Sequence, residues 1–349
     1  LSDIIFVPIQ TPHDKKYEGI NDIPKTRKDF DYTYLRKGMK MISDELKKIK
    51  KKKIVIIIST VLPGTIRKKI LPVTNKYTQI GYNPFFIAMG TTIDDFLYPE
   101  IILFGSENKF VSQKAQSFYR TLTSSPFFET TIENAELIKV VYNTFISTKI
   151  AYINSIAEMC HRLPNTSIDE VTRALSLSTK RIISSSYMKG GMGDGGGCHP
   201  RDNIAMSYLS EKLNISHNWF ENIMKQRENQ TEWLAKLIIE NSKNLKINIL
   251  GKSFKSESNL TLGSPAILLK NILQEKQKQI NIWDPIVDGN FEDFEKKYKW
   301  KSEPQLFFIA TKHDYFNNFP FHKGSIVIDP WRYIIDREDI ELIRIGDSK

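Results

Sequence analysis

The chain has 349 residues, 40% of them hydrophobic and 26% charged, with a net charge of +10 at neutral pH. That length accommodates two or three domains with their own cores, and the hydrophobic content is that of a soluble globular protein. No stretch reaches the roughly 18 unbroken apolar residues of a membrane span, and no charged-then-apolar signal segment opens the chain, so a cytoplasmic location without membrane contact is expected.

The first run, Ile4-Ile5-Phe6-Val7-Pro8-Ile9, reads as a buried strand. No cap, loop or initiator methionine precedes it, so an upstream segment is expected. A long polar loop from Thr11 to about Phe30 follows. Then come a helical period from Tyr34 to about Lys51, a strand over Ile54–Ser59 and a short helix opened by Pro63-Gly64-Thr65. Further strands are expected around Gln79–Tyr82, Ile101–Phe104 and Phe127–Thr130, with a helix between Lys109 and Leu122. Alternating strands and helices are the α/β signature.

The pattern then changes. From Asn134 to about Arg162 no glycine or proline intervenes, and Leu137, Val141, Phe145, Ile150, Ile153 and Ile156 recur at helical spacing. One long helix of about 40 Å follows from a rise of about 1.5 Å per residue. Helical stretches over Ile168–Leu177 and Asn218–Ser242 make the middle of the chain all-α. Alternation resumes with Ile247–Leu250, a helix from Pro265 to about Glu275, Ile280–Trp283, Leu306–Ala310 and Ile326–Ile328. These short apolar runs between turn residues suit a parallel sheet covered on both faces.

The positive charge raises the question of nucleic acid. Much of it is Lys47, Lys48, Lys50, Lys51, Lys52 and Lys53, a run at the end of a predicted helix, where cations complement the negative end of the macrodipole and stay solvated. No aromatic residues interleave it as stacking platforms would. A nucleic-acid partner is therefore not expected, and a basic balance equally suits a phosphorylated small substrate. The two cysteines, Cys160 and Cys198, are expected as free thiols. Each precedes a histidine, but neighbours on a helix point about 100° apart and no CxxC or HxxxH spacing exists, so no metal site is expected.

Cys198 stands after six glycines in Gly190-Gly191-Met192-Gly193-Asp194-Gly195-Gly196-Gly197-Cys198-His199-Pro200-Arg201-Asp202. Packing does not require such a string. Glycines let backbone approach a ligand and offer N–H groups to developing negative charge, while a thiol beside cations becomes a nucleophile. Gly191 to Gly196 also satisfies the dinucleotide pattern GxGxxG, but that loop must follow a hydrophobic strand, and polar residues Ser184 to Lys189 precede this one. A plain flexible loop is the remaining alternative to a covalent active site.

Together with Gln10-Thr11-Pro12, Ser59-Thr60-Val61-Leu62-Pro63-Gly64-Thr65, Asn83-Pro84, Glu136-Leu137-Ile138-Lys139 with Asn143, Arg181, Gly251 with Phe254-Lys255, Ser264-Pro265-Ala266 and Asp284-Pro285, this string resembles the UDP-glucose/GDP-mannose dehydrogenase family over nearly the whole chain. The resemblance implies an α/β fold of two Rossmann-like domains, the first truncated, joined by a helical core with one long central helix. The expected boundaries are 1–130 for the NAD-binding domain, 131–243 for the dimerising helical core and 244–349 for the nucleotide-sugar domain. It also implies NAD as cofactor, a nucleotide-sugar substrate and a homodimer.

Two hydride transfers would take the C6 alcohol of the sugar to an acid through a thiohemiacetal and a thioester on Cys198. By the same resemblance Lys139 and Asn143, four apart on one helix face, stabilise the oxyanion. Asp202 and Thr60 hold a water, Thr11 and Thr60 meet the cofactor, and Arg181, Gly195, Gly196, Lys255 and Arg332 meet the substrate. Plainer readings stand beside these: an exposed helix lysine for Lys139, a buried helix polar group for Asn143, a helix N-cap for Asp202 ahead of Asn203–Leu213, a strand-end hydroxyl for Thr60 and a surface arginine for Arg181.

The chain also departs from the family. Phe85 and Met89 stand where two glutamates are usual, Leu262 where an arginine is, and Asp194 where an aromatic is. The family's first βαβ unit with its glycine loop, expected ahead of Asp3-Ile4-Ile5, is not in these residues, so the chain by itself is expected to bind NAD poorly. Asp194, in a desolvating glycine loop, is then a candidate for the hydrolytic base that Phe85 cannot be, with His199 as a second. The rival readings are a dehydrogenase with an altered hydrolysis step and a non-catalytic nucleotide-sugar-binding protein.

Overall fold

The computed structural model describes residues 2–12, 25–26, 28–88, 90–184, 186–196, 198–276 and 278–347. Met89, Gly197 and most of the polar loop expected between Thr11 and Phe30 lie outside the described residues. The chain divides into two compact units, 1–150 and 151–349.

In the first unit β1 (Ile4–Val7), β2 (Lys53–Ile57) and β3 (Thr78–Tyr82) run parallel, followed by β4 (Ile102–Gly105) and β5 (Phe127–Thr130) in the order β1-β2-β3-β4-β5. Only the β3–β4 pair is antiparallel. Successive side chains of a strand point to opposite faces, and β2 shows both faces covered. Val55 and Ile57 join Leu35, Met39 and Leu46 of α1 (Thr33–Lys48), whereas Ile54 and Ile56 join Phe104 with Val111 and Ala115 of α3 (Lys109–Tyr119). The short α2 (Thr92–Leu97) lies between β3 and β4 in sequence. The helix expected after Pro63-Gly64-Thr65 is a π-helical turn, Ile66–Ile70, continued by a 3-10 turn, Leu71–Val73.

A single helix, α4 (Ile132–Arg162), is continuous from the first unit into the second. It is followed by α5 (Ile168–Ser176), α6 (His199–Lys212) and α7 (Trp219–Asn241). The second unit then alternates: β6 (Ile247–Leu250), α8 (Pro265–Glu275), β7 (Ile280–Trp283), α9 (Phe291–Tyr298), β8 (Leu306–Ile309), β9 (Ile326–Asp329) and β10 (Glu341–Arg344). These strands form an all-parallel sheet in the order β10-β9-β8-β6-β7.

One face of this second sheet packs Ile249, Phe308 and Ile328 against Leu234 and Ile238 of α7 and Leu269 and Leu273 of α8. The other is an aromatic core in which the fully buried Trp283 and Trp300 lie 5.9 Å apart, centroid to centroid, among Phe307, Phe316, Phe319 and Phe321. The chain leaves β6 to pair on either side with β7 and β8, so its order reverses there, and a crevice opens at the carboxyl ends of such strands. Among the described residues no helix is long and apolar enough to cross a membrane.

Three elements go beyond the sequence reading. α2 is too short to show a period, α9 (FEDFEKKY) is mostly charged, and β10 (ELIR) is an edge strand with charges at both ends.

Candidate active site

In the first unit β1, β2 and β3 are parallel, so the segments that leave them emerge on one edge of the sheet. Thr11 Oγ1 donates to the carbonyl of Thr60 at 2.7 Å, and Ser59 Oγ donates to the carbonyl of Ile9, which ties the first two segments together. In the third, Asn83 Nδ2 donates to the carbonyl of Leu103 at 2.7 Å and Asn83 Oδ1 accepts from the hydroxyl of Tyr119.

The buried Glu136 on α4 accepts from the N–H of Gly64 at 2.5 Å and that of Ile66 at 2.8 Å, satisfying donors that a helix start leaves unpaired. Burial pushes its carboxyl up, against the pull of those two bonds. Its place in the motif is thus structural: it anchors α4 to the turn after Thr60.

Lys139 follows one turn later and is only 8% exposed, which overturns its reading as an ordinary surface lysine. Its Nζ donates to the carbonyl of Phe85 at 2.7 Å and lies 4.9 Å from the centre of the Phe86 ring. Burial lowers its pKa. Asn143, four residues on, is exposed rather than buried. Lys139 and Asn143 line one cleft of about 290 Å³ together with Phe86, Asp95, Glu100 and Tyr142.

The Phe85 ring turns to an apolar pocket, 5.4 Å from the ring of Phe96. The carboxylates of the cleft come instead from Asp95, which accepts from Ala88 N and Thr91 Oγ1, and from Glu100, which accepts from the hydroxyl of Tyr142 at 3.5 Å. Neither acid belongs to a motif, so sequence reading passed over both.

In the second unit the exposed Cys198 is the N-cap residue of α6, with Pro200 in the first turn. The plainer reading of Asp202 as an N-cap is corrected: the helix starts at His199, and Asp202 donates its own N–H to the carbonyl of Cys198 at 2.8 Å. Its carboxylate accepts from Nε and Nη2 of Arg201 at 2.9 and 2.8 Å. Arg201 is held above its ordinary pKa by that bond and by the charge of Asp202.

Asp194 is not desolvated as expected. Its side chain is 39% exposed, with Arg227 Nε at 3.5 Å and His199 Nδ1 at 3.7 Å. The loop around it is held through its carbonyls. Arg227 Nε donates to Asp194 O at 2.9 Å, Gln230 Nε2 to Gly191 O at 3.0 Å and Arg332 Nη2 to Gly190 O at 2.8 Å. Arg332 Nη1 meets the carbonyls of Pro330 and Ile345 at 2.6 and 2.7 Å, so its guanidinium clamps backbone. Gly195 and Gly196 pack on Phe254, whose neighbour Lys255 is exposed with its Nζ 5.6 Å from that ring. Arg181, also exposed, lies in the turn after α5 beside Lys180 and Tyr187.

At the crevice of the second sheet a buried network fixes the segment that carries Lys255. Burial pushes the Asp284 carboxyl up, but bonds from His313 Nε2 and from the N–H groups of Ser253, Lys252 and Ile286 hold it well below the ordinary value. The N–H of Glu257 donates to His313 Nδ1 at 3.2 Å, which leaves the ring proton on Nε2. Ser253 Oγ and Asp284 Oδ2 both lie 3.0 Å from that same nitrogen. A nucleophile–base relay needs them on opposite nitrogens, so this trio is a scaffold and not a hydrolytic triad.

The cofactor can be tested against these residues. Dinucleotides bind at the carboxyl ends of strands in such sheets, and there the first unit presents Thr11 and Thr60, two hydroxyl residues joined by a hydrogen bond. They fit the hydroxyl and amide groups of a dinucleotide. The chain's GxGxxG string, Gly191 to Gly196, follows no strand and supplies no pyrophosphate loop.

Residues 1–123 match the NAD binding domain, and residues 133–229 the central domain, of the UDP-glucose/GDP-mannose dehydrogenase family. Among curated relatives, UDP-glucose 6-dehydrogenase of Rickettsia conorii is 27% identical over 98% of this chain and 80% of its own length. UDP-glucose 6-dehydrogenase of Rickettsia prowazekii is 30% identical over 81% of this chain, and GDP-mannose 6-dehydrogenase of Pseudomonas aeruginosa 27% over 82%. The alignments span 63% and 64% of those two proteins. In fold, the chain matches a crystal structure of GDP-mannose dehydrogenase from Pseudomonas aeruginosa, a ternary complex, with a TM-score of 0.82 at 23% identity over 98% of this chain and 82% of that one. The chain belongs to the UDP-glucose/GDP-mannose dehydrogenase family, with NAD as its cofactor.

Proposed function

We propose that the protein oxidises the C6 alcohol of a nucleotide sugar to the uronic acid through covalent catalysis at Cys198. The observation that carries this reading is the exposed thiol at the head of α6, at the end of a glycine loop that Arg227, Gln230 and Arg332 hold by its carbonyls. The alcohol loses a proton and a hydride to become an aldehyde. The Cys198 sulfur adds to the aldehyde carbon, and loss of a second hydride leaves a thioester. Water then cleaves the carbon–sulfur bond, releasing the acid and returning the thiol.

NAD, when bound, supplies the hydride acceptor, once for each transfer. Lys139 and Asn143 steady the negative oxygen, each good donor being worth about 3 kcal/mol. A lysine that burial has made less basic is suited to pass a proton as well as to stabilise charge. Thr60 and Asp202 are assigned the water, Thr11 and Thr60 the cofactor, and Arg181, Gly195, Gly196 and Lys255 the substrate, while Arg332, its guanidinium spent on the carbonyls of Gly190, Pro330 and Ile345, is assigned to holding the cysteine loop.

We infer further that 1–130 and 244–349 are the two Rossmann-like domains and 131–243 the helical dimerisation core of a homodimer. The cytoplasm, which keeps Cys160 and Cys198 reduced, is the assigned location. Replacement of Cys198 by Ser is expected to abolish acid formation, since an alcohol without a base is a far weaker nucleophile. Acid formed by Cys198→Ser at the unsubstituted rate overturns the covalent route.

One observation favours a variant of this reading. The Phe85 ring packs against Phe96, so no carboxylate occupies that position and hydrolysis of the thioester must be served differently or be slow. Rapid-quench trapping of the acyl-enzyme in the unsubstituted protein decides: accumulation marks a slow last step, and its absence with fast acid release marks a replaced base.

A further inference from the structure

Arg227 lies on α7, 33 residues along the chain from Asp194, and its side chain is only 10% exposed. Nε donates to Asp194 O at 2.9 Å, in the loop that ends at Cys198. Nη2 donates to Gly263 O at 3.0 Å, in the turn that Ser264 closes by capping α8. A guanidinium keeps its charge and its planar fork, so it fixes two carbonyls at once in one geometry.

The two segments also touch as bare backbone. A Cβ on Gly263 would stand 2.5 Å from Gly196 O, and one on Gly196 would stand 2.9 Å from the Phe254 ring. Both glycines have positive φ, +65° and +88°. One turn further along α7, Gln230 takes hold of Gly191 O, so the same helix face grips the loop twice. The head of α8 follows β6 and therefore lies at the carboxyl edge of the second sheet, where ligands of such sheets bind.

We propose that Arg227 is a positioning residue for Cys198: it pins the cysteine loop to the Gly263 turn, so that the head of α8, and not α6 alone, dictates where the thiol stands. The part of this that concerns turnover rests on the proposed function, while the part that concerns the position of the thiol does not.

The test uses the Cys160→Ser protein, in which Cys198 is the only thiol, and follows its reaction with an aromatic disulfide. Arg227→Ala is expected to change the second-order rate by at least about threefold, because access and local charge at a thiol set its reactivity. Arg227→Lys, which can reach one carbonyl at a time, is expected to fall between. In turnover, Arg227→Ala is expected to lower kcat by about 100-fold, the cost of a displacement of about 1 Å, with KM for NAD changed less than about twofold.

Absence of turnover in the unsubstituted protein overturns the assigned function and leaves the thiol measurement standing. An unchanged thiol rate in folded Arg227→Ala overturns this proposal. Should Arg227→Ala lose its far-UV circular dichroism, Gly263→Ala carries the test, since its Cβ presses on Gly196 O from the other side. A shift of at least about threefold is expected there too, and an unchanged rate overturns the pinning.

Discussion

At Lys139 function and stability pull in opposite directions. Burial lowers its folded-state pKa below that of the unfolded chain. Between the two values the unfolded chain binds more protons, so this residue makes stability rise with pH across that window, and below it the buried charge is a standing cost. Lys139→Met is therefore expected to stabilise the first unit by about 1 kcal/mol at neutral pH, raising its Tm by about 2–4 °C. It is also expected to lose about 100-fold in kcat. Calorimetry and steady-state rates check the pair, and a loss of stability on removing the charge contradicts the account.

Asp194 makes a second prediction at this scale. If its carboxylate beside His199 activates the hydrolytic water, Asp194→Asn slows thioester hydrolysis by about 100-fold, read as accumulation of acyl-enzyme after rapid quenching. Unchanged hydrolysis returns that role to His199. Cys198 and its glycines were legible because no core needs such a string. What grips them was not: Arg227 and Gln230 carry no local pattern, and only the fold brings them to their partners.

Among the elements, α4 is the one whose surface exceeds what this chain covers. Val141, Phe145 and Ile150 are 50%, 48% and 56% exposed, and every residue from 141 to 150 is open to solvent. An apolar helix face of that kind marks an interaction site, and in the proposed homodimer the same helix of a second copy would cover it. Light scattering is expected to give a dimer, and Phe145→Glu to shift it towards monomer, since a charge buried without a partner is strongly disfavoured. A monomer in the unsubstituted protein at micromolar concentration contradicts the assignment.

The same helix shows why some elements could be read and others not. Its unbroken apolar period of 3.6 is a strong signal, as are β8, which is apolar throughout, and β2, which is apolar after Lys53. α2 has too few residues for a period, and the start of α6 at His199 is set by a proline and by the loop's geometry. The plainer reading of Asp202 as its N-cap put that start four residues late.

On the scale of the whole molecule, the order α/β, helical, α/β was legible, because helices and parallel strands alternate at both ends of the chain. The strand order, with its reversal beside β6, was not, since parallel neighbours are chosen by packing and not by adjacency. That reversal places Asp284 at the carboxyl end of the second sheet, and its buried carboxylate is expected to make this unit sensitive to acid. Its folded pKa is held below the unfolded value, so its contribution is fully present above the unfolded value and is lost as pH falls through the folded one. Asp284→Asn is expected to cost the second unit about 3 kcal/mol at neutral pH. The gap from the unsubstituted protein should narrow as acid is added, and a gap independent of pH contradicts the linkage.

The aromatic core of the second sheet has an optical consequence. All five tryptophans, Trp219, Trp233, Trp283, Trp300 and Trp331, belong to the second unit, while the first absorbs through tyrosine alone. Emission excited at the red edge of the band is therefore blind to the first unit. Asp284→Asn should move the fluorescence melting curve and Lys139→Met should leave it in place, so the protein's own chromophores sort a lesion into one half of the chain or the other.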